Sequence, residues 1–471
     1  MGKYLKKFNE DAEYQAFKES EEYILPNVSL IKSLNSVAYN PYKETRVVCT
    51  VNVTDTTSAT LICSKTSGFT SMEVDGVLLD SVVSGYTFND VGEHTAKFEL
   101  VDSTIIESSA FSGCYSLTSI VIPDSVTTIK NHAFRDCSGL TSVVIGSGVT
   151  SIGEYAFSSC YGLTSVVIPD SVTTIGSYAF KSCTGLTSIN IPDSVTTIRE
   201  CTFQFCKGLT SINIPDSVKT IGFSAFEDCL SLKGELVIPD SVTTIGYKAF
   251  SNCSGLTSVH IGSRVTAIGE NAFSYCSKLT SVIIPDSVKT IHKNAFRSCS
   301  GLTSVVIPNS VTTIGDYAFY DCTSLPVEDN ICYADTYLVG VTDYSLSTYT
   351  IKADTKWIGS SAFSNCKSLT SIVIPDSVTS IGLSAFQSCK SLTSIVIPDS
   401  ITTIGSSAFK SCTGLSEITC NATTAPTIDS NTFYDAKSGG VLKVPAGSDY
   451  SSWMSTDNYY LGKYNWTIEY I

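Results

Sequence analysis

Long apolar runs are missing from this chain. No stretch approaches the roughly 18 consecutive apolar residues of a membrane-spanning helix. The opening MGKYLKKFNEDAEYQAFKESEEYI has basic residues but lacks the apolar core of a secretory signal. Positive charge is scarce: 30 Lys and Arg stand against 44 Asp and Glu, a formal net charge of −14. That balance argues against electrostatic binding to nucleic acid or anionic lipid, and no basic run offsets it. Only four histidines occur, His94, His132, His260 and His292, too scattered for a metal site or a catalytic triad. The recurring Asp-Ser pair has no histidine beside it and reads as turn chemistry. C-x-x-C pairs are absent despite 18 cysteines, so neither metal nor cofactor is implied. With 43% hydrophobic and 16% charged residues the chain is far from disordered composition.

What the chain has is a period. Cysteines fall at 114, 137, 160, 183, 206 and 229, at 253, 276, 299 and 322, and at 366, 389 and 412. Nearly every step is 23, and a phenylalanine lies three residues before each, from Phe111 to Phe409. The consensus reads L-T-S-I/V-x-I-P-D-S-V-T-T-I-G-x-x-A-F-x-x-C-x-x. A self-similar period of about 20–29 residues with L-x-x-I-x-I belongs to the leucine-rich-repeat class.

The spacing dictates a coil. Leu163–Ile168 is extended and β-branched, so Leu163, Val166 and Ile168 point inward while Thr164, Ser165 and Val167 face out. Pro169-Asp170-Ser171 makes a corner, and Val172 and Ile175 form a second inward segment. Gly176 supplies the freedom for the next turn; Ala179, Phe180 and Cys183 complete the interior. One coil cannot bury that set alone, but stacked coils cover one another. At about 4.8 Å between paired strands, about fourteen coils give a rod or shallow arc on the order of 65 Å long. The cysteine ladder then reads as core filler, since free cysteine packs as a small hydrophobe. Cys49, Cys63, Cys201, Cys332 and Cys420 lie outside it.

Two irregularities interrupt the period. Leu232-Lys-Gly-Glu-Leu236 carries one extra residue, which predicts a bulge. Between Phe319 and Phe363 the step is 44, and alternation at Tyr333, Tyr337, Val339 and Val341, a turn near Asp343–Ser347 and a resumed strand at Tyr349–Ile351 predict a hairpin coil near 327–351.

The expected class is therefore a mainly β solenoid: a right-handed leucine-rich-repeat array with a small N-terminal β-rich region and a C-terminal cap. Residues 1–45 read as a docking segment, with a helix at 9–24 and an extended linker. Residues 46–103 read as a small β-domain or N-cap, 104–437 as the solenoid with its hairpin insert, and 438–471 as the C-terminal cap.

Comparing the coils with one another locates a candidate binding ridge. Interior positions barely vary, whereas the two residues before Ala-Phe and those flanking the cysteine do. They include Arg135, Tyr155, Tyr161, Tyr178, Phe205, Phe223, Tyr247, Tyr275, Arg297, Tyr317 and Tyr320. Tyrosine and arginine are enriched at binding hot spots. Exposed tyrosine that merely covers apolar neighbours competes with that reading. The outward strand face, by contrast, is a monotonous Thr-Ser-Val carpet.

The unit LTSIVIPDSVTTIGxxAFxxC resembles the BspA-like leucine-rich repeats, over roughly residues 104–437, with the hairpin insert and the VPAGSDYSSW end also similar to that family. The resemblance implies a binding or adhesion protein without catalytic residues. The opening MGKYLKKFNEDAEYQAFKESEEYILPNVSLIKSLNSVAYNP resembles virion or tail-associated proteins of gut Bacteroidales phages. That likeness implies a virion or extracellular surface location and docking to other virion proteins through residues 1–45. Two non-enzymatic readings follow: a binding protein for a cell-surface glycan or protein, or a structural spacer or decoration protein docked through its N-terminal segment.

Overall fold

The computed structural model describes residues 45–471. The helix expected at 9–24, the linker after it and the docking role of that segment lie outside the described residues. The rest is a β-solenoid of about 16 turns with almost no helix, slightly longer than the coil count expected from the Phe-Cys ladder.

Each turn contributes three sides. The first carries the longer strands, among them Leu117–Ile122, Ser142–Ile145, Ser165–Val167 and Ser188–Ile189. They pair in parallel with Ile120 opposite Val143, Val143 opposite Val166 and Val166 opposite Ile189. The second side carries two-residue strands such as Thr128–Ile129, Ser151–Ile152 and Thr174–Ile175, also parallel. The third is the A-F-x-x-C turn, where Phe134 N–H donates to Ala156 C=O at 2.7 Å and Phe157 N–H to Ala179 C=O at 2.8 Å. Every side therefore satisfies its backbone groups from the neighbouring coil.

The interior follows the expected alternation. Leu163, Val166, Ile168, Val172, Ile175, Ala179, Phe180 and Cys183 are all buried, and Thr164 and Val167 are exposed. Phenylalanine rings stack coil on coil from Phe111 to Phe319, with centroids between 5.0 and 5.7 Å apart. A second stack runs from Phe363 to Phe433. All 18 cysteines are free thiols. Most of those in the ladder donate Sγ–H to the carbonyl of the preceding coil's phenylalanine, as Cys137 does to Phe111 at 2.9 Å and Cys183 to Phe157 at 3.1 Å.

The role expected of Gly176 needs correction. Its backbone is not left-handed; a Cβ there would lie 2.6 Å from Glu154 N, so what the position demands is close approach of two coils. The left-handed residues are non-glycine. Most coils have two: the residue before Ala-Phe, such as Tyr155 (φ 56°) and Tyr178 (φ 61°), and the residue before Cys, such as Ser159 (φ 62°) and Ser182 (φ 61°).

Both ends continue the array. Strands Val47–Val53, Phe69–Val74 and Gly92–Leu100 form an antiparallel sheet, and Val47–Val53 pairs antiparallel with Leu117–Ile122 of the first coil. Phe69 and Phe98 extend the phenylalanine stack, 5.4 and 5.5 Å from Phe111. At the far end Val441–Val444 and Thr467–Tyr470 prolong the parallel ladder. Trp453 closes the stack 5.5 Å from Phe433 and donates its indole N–H to Pro426 C=O at 2.9 Å.

The extra residue at 232–236 is a bulge: register shifts between Gly234 and Glu235, and Gly234 has a φ of +79°. The insert differs in detail from the expected hairpin. Its turn comes earlier, at Asp335-Thr336, joining Ile331–Ala334 antiparallel to Tyr337–Val341. Asp335 tolerates the left-handed φ of 56° found there, as short polar side chains do. The 343–347 segment is a separate bend, stabilised by Ser345 N–H donating to Asp343 at 2.9 Å. Tyr337–Val341 then joins the parallel ladder through Trp357–Ile358.

Candidate functional site

The variable residues project from the A-F-x-x-C turns, and the structure divides them into patches. In the first, His132, Tyr155 and Tyr178 stack on successive coils at 5.1 and 4.4 Å, their planes within 13° of parallel. Arg135 lies over Tyr155 at 5.7 Å and is paired with Asp136 at 3.2 Å. Lys181 sits between the Tyr178 and Phe205 rings, 5.3 and 5.6 Å from their centroids. The Tyr178 hydroxyl donates to Glu200 at 2.6 Å, and that bond pushes the phenol's pKa well up.

A second patch joins Phe223 to Tyr247 at 5.1 Å, with Lys248 over Tyr247 at 5.5 Å. Beneath it Glu227 is buried; burial opposes its ionisation, but hydrogen bonds from Lys248 and Gln204 outweigh that and hold its carboxyl low. In a third patch Tyr317 meets Tyr320 edge-on at 5.3 Å, and Arg297 lies over Tyr320 at 5.6 Å. Tyr161 and Tyr275 are exposed and stand apart from these stacks.

Two features escaped the sequence reading. Five ridge aromatics, Tyr155, Tyr178, Phe205, Tyr275 and Tyr317, occupy left-handed positions, which a bare repeat alignment does not reveal. The strand carpet is also less bland than expected: Val167, Ile283, Val306 and Val373 are exposed on it, Val373 81% so, and Ile283 pairs with Val306 on the next coil. The period-two pattern placed these residues outward; the stacked sheet adds the pairing of Ile283 with Val306.

Of the histidines, His94 is buried and structural, its ring held by Asp75 at 2.8 Å and Asp90 C=O at 3.1 Å. Among the described residues no group of three His, Cys, Asp or Glu side chains is placed to hold a metal ion. No helix among them is long and apolar enough to cross a membrane.

Stacked 23-residue coils with an L-x-x-I-x-I strand, a phenylalanine spine and variable turns define a leucine-rich-repeat solenoid. Residues 104–233, 233–331 and 342–448 match the BspA-type leucine-rich repeat region, and the chain belongs to that family. Among solved structures it is similar to a leucine-rich repeat protein from Bacteroides ovatus, 32% identical, covering 68% of this chain and 88% of that one, with a TM-score of 0.43. It is similar also to a leucine-rich cell surface protein from Faecalibacterium prausnitzii, 29% identical over 73% and 93% of the two chains, with a TM-score of 0.34. A leucine-rich repeat protein of T. pallidum is 30% identical over 42% of this chain and 78% of that one, with a TM-score of 0.30. No curated protein matches significantly.

Proposed function

We propose that this chain is a non-enzymatic binding or adhesion protein that presents its turn ridge to a cell-surface glycan or protein, from a phage particle or a bacterial surface. Membership of the BspA-type family supports a binding role. The observation that carries the choice of surface is the first patch. Left-handed backbone costs most side chains roughly 1–2 kcal/mol, and Ser, Asn and Asp fill most of these positions here. Neutral drift would favour those residues. Tyr155, Tyr178 and Phe205 instead place large rings there, the two tyrosines stacked and Arg135 and Lys181 beside the rings. Such rigid amphipathic side chains are what a protein uses to gain contact area at little entropic cost.

The test is cell binding by the full chain and by Tyr155→Ala, Tyr178→Ala and Tyr247→Ala. Each variant should bind at least ten-fold more weakly while losing at most the roughly 0.5–1.5 kcal/mol of a ring pair in stability. Undiminished binding would reject the ridge. Undiminished binding together with loss of assembly on deleting residues 1–45 would favour the spacer.

A further inference from the structure

Beside Tyr320 the turn side of the solenoid misses a step. In regular coils the residue before the ladder cysteine donates its N–H to the next turn, as Ser298 does to Tyr320 and Asn365 to Gln387, both at 2.8 Å. After Phe319 the next A-F-x-x-C turn arrives only at Phe363. Asp321 N–H therefore has no following turn to donate to, and Ser364 C=O receives no bond from a preceding one. The gap is an open cleft of about 680 Å³ whose lining includes Tyr320, Tyr344, Ser345, Ser364, Asn365 and Lys367. That volume falls within the roughly 300–1,000 Å³ of small-ligand sites. The family match pauses between 331 and 342, where the hairpin of Ile331–Ala334 with Tyr337–Val341 stands in place of a regular turn.

Its chemistry selects among ligands. Tyr320 and Tyr344, 42% and 54% exposed, place two aromatic rings in its lining. The Tyr344 loop is held by Ser345, whose N–H and hydroxyl both donate to Asp343, and by the Tyr349 hydroxyl on Asp343 C=O. Around the rings stand hydroxyls, an amide, one ammonium and no carboxylate. An apolar ligand would leave the hydroxyl, amide and ammonium groups of the lining without partners, which is costly once water is displaced. An extended peptide needs a row of alternating backbone partners, whereas the cleft's lining residues offer mostly neutral hydroxyl and amide side chains. A sugar ring presents apolar C–H faces to tyrosine and hydroxyls that both donate and accept.

We propose that this cleft binds one end of a neutral, hydroxyl-rich saccharide, an inference that rests on reading the chain as a binding protein. The experiment is saturation-transfer NMR on the full chain with glucose-, galactose-, mannose- and N-acetylglucosamine-terminated oligosaccharides at millimolar concentration. Transfer to the ring protons of at least one probe is expected. Its Kd should rise at least ten-fold in Tyr344→Ala and in Asn365→Asp, the latter keeping a side chain that tolerates the left-handed φ of 64°. Leu78→Ala, exposed in the N-terminal β-rich region and outside both the ridge and the cleft, should leave Kd unchanged. Absence of transfer from every probe, or a Kd unaltered in both cleft variants, would overturn the proposal. If the intact chain binds cells and no saccharide does, only the cleft fails. If it binds no cells, the ridge reading fails and the NMR result still decides the cleft.

Discussion

At the residue scale the repeat separates two kinds of side chain that a composition table would merge. Phe180 is fully buried between Phe157 and Phe203, whereas Tyr178, two residues earlier, is half-buried on the outside. Phe180→Ala should cost about 3–5 kcal/mol in chemical denaturation, as expected of a large core truncation, and leave cell binding per folded molecule unchanged. The cysteines make a second prediction. Burial pushes their thiols up, Cys183 and Cys276 to about 12 and Cys63 and Cys332 to about 11, from an ordinary value of 9.0. A raised folded-state pKa means the native chain holds its protons more tightly than the unfolded one. The resulting stability is fully present below about pH 9, where unfolded thiols are still protonated, and is lost as pH rises through the native values. Under reducing conditions the Tm should hold near neutrality and fall steeply between about pH 9 and 12. Replacing Cys183 and Cys206 by Ala should flatten that fall; an identical slope would mean the thiols do not drive it. Thiol reagents on the native protein should reach Cys332, half-buried, before any ladder cysteine.

At the scale of elements, what was legible in the sequence was whatever repeats. Leu, Ile, Phe and Cys recur at fixed spacing because each must meet its own counterpart one coil away, so thirteen copies report one environment. The bulge was legible for the same reason, as a single residue out of step at Gly234. Its left-handed φ of +79° with open space around the missing Cβ predicts that Gly234→Asn is tolerated while Gly234→Val destabilises by roughly 1–3 kcal/mol, the cost of a β-branched residue held in that region. Equal melting temperatures for the two would show that the bulge relaxes. The insert was legible only as an interruption. Its turn sits at Asp335 and not at 343–347, because two short polar turns compete there and only pairing of Ile331 with Val341 decides between them. The cleft beside Tyr320 was legible only as the 44-residue step between Phe319 and Phe363; which side chains line it is set by the stacking of the coils around the missing turn. The ridge was half legible, since variability picked out its members but not that His132, Tyr155 and Tyr178 stack.

For the whole molecule, near-identical coils make stability a sum over neighbours. Deleting residues 164–186 removes one repeat and joins Leu163 to Thr187, which restores L-T-S and leaves Phe157 facing Phe203 as it faced Phe180. Nothing in the remaining interior changes environment, because every coil still meets a coil of the same shape. The shortened chain should keep its β-sheet circular dichroism and cooperative unfolding, with the solenoid shorter by about 4.8 Å in solution scattering. Deleting only 164–175, by contrast, removes both inward strands of one coil and leaves Ala179, Phe180 and Cys183 without the two sides that close over them. That variant should lose several kcal/mol, as expected when a set of core side chains loses its partners, and should expose the next coil's apolar edge to association. The two deletions separate fold from function as well. The full-repeat deletion removes Tyr178, leaves Tyr155 facing Cys201 and breaks the aromatic stack of the first patch, so cell binding should fall while the fold persists. If the full-repeat deletion unfolds the protein, the coils are not interchangeable and the nearest-neighbour account is wrong. If it folds and binds undiminished, the solenoid account stands and the first patch is not the contact surface.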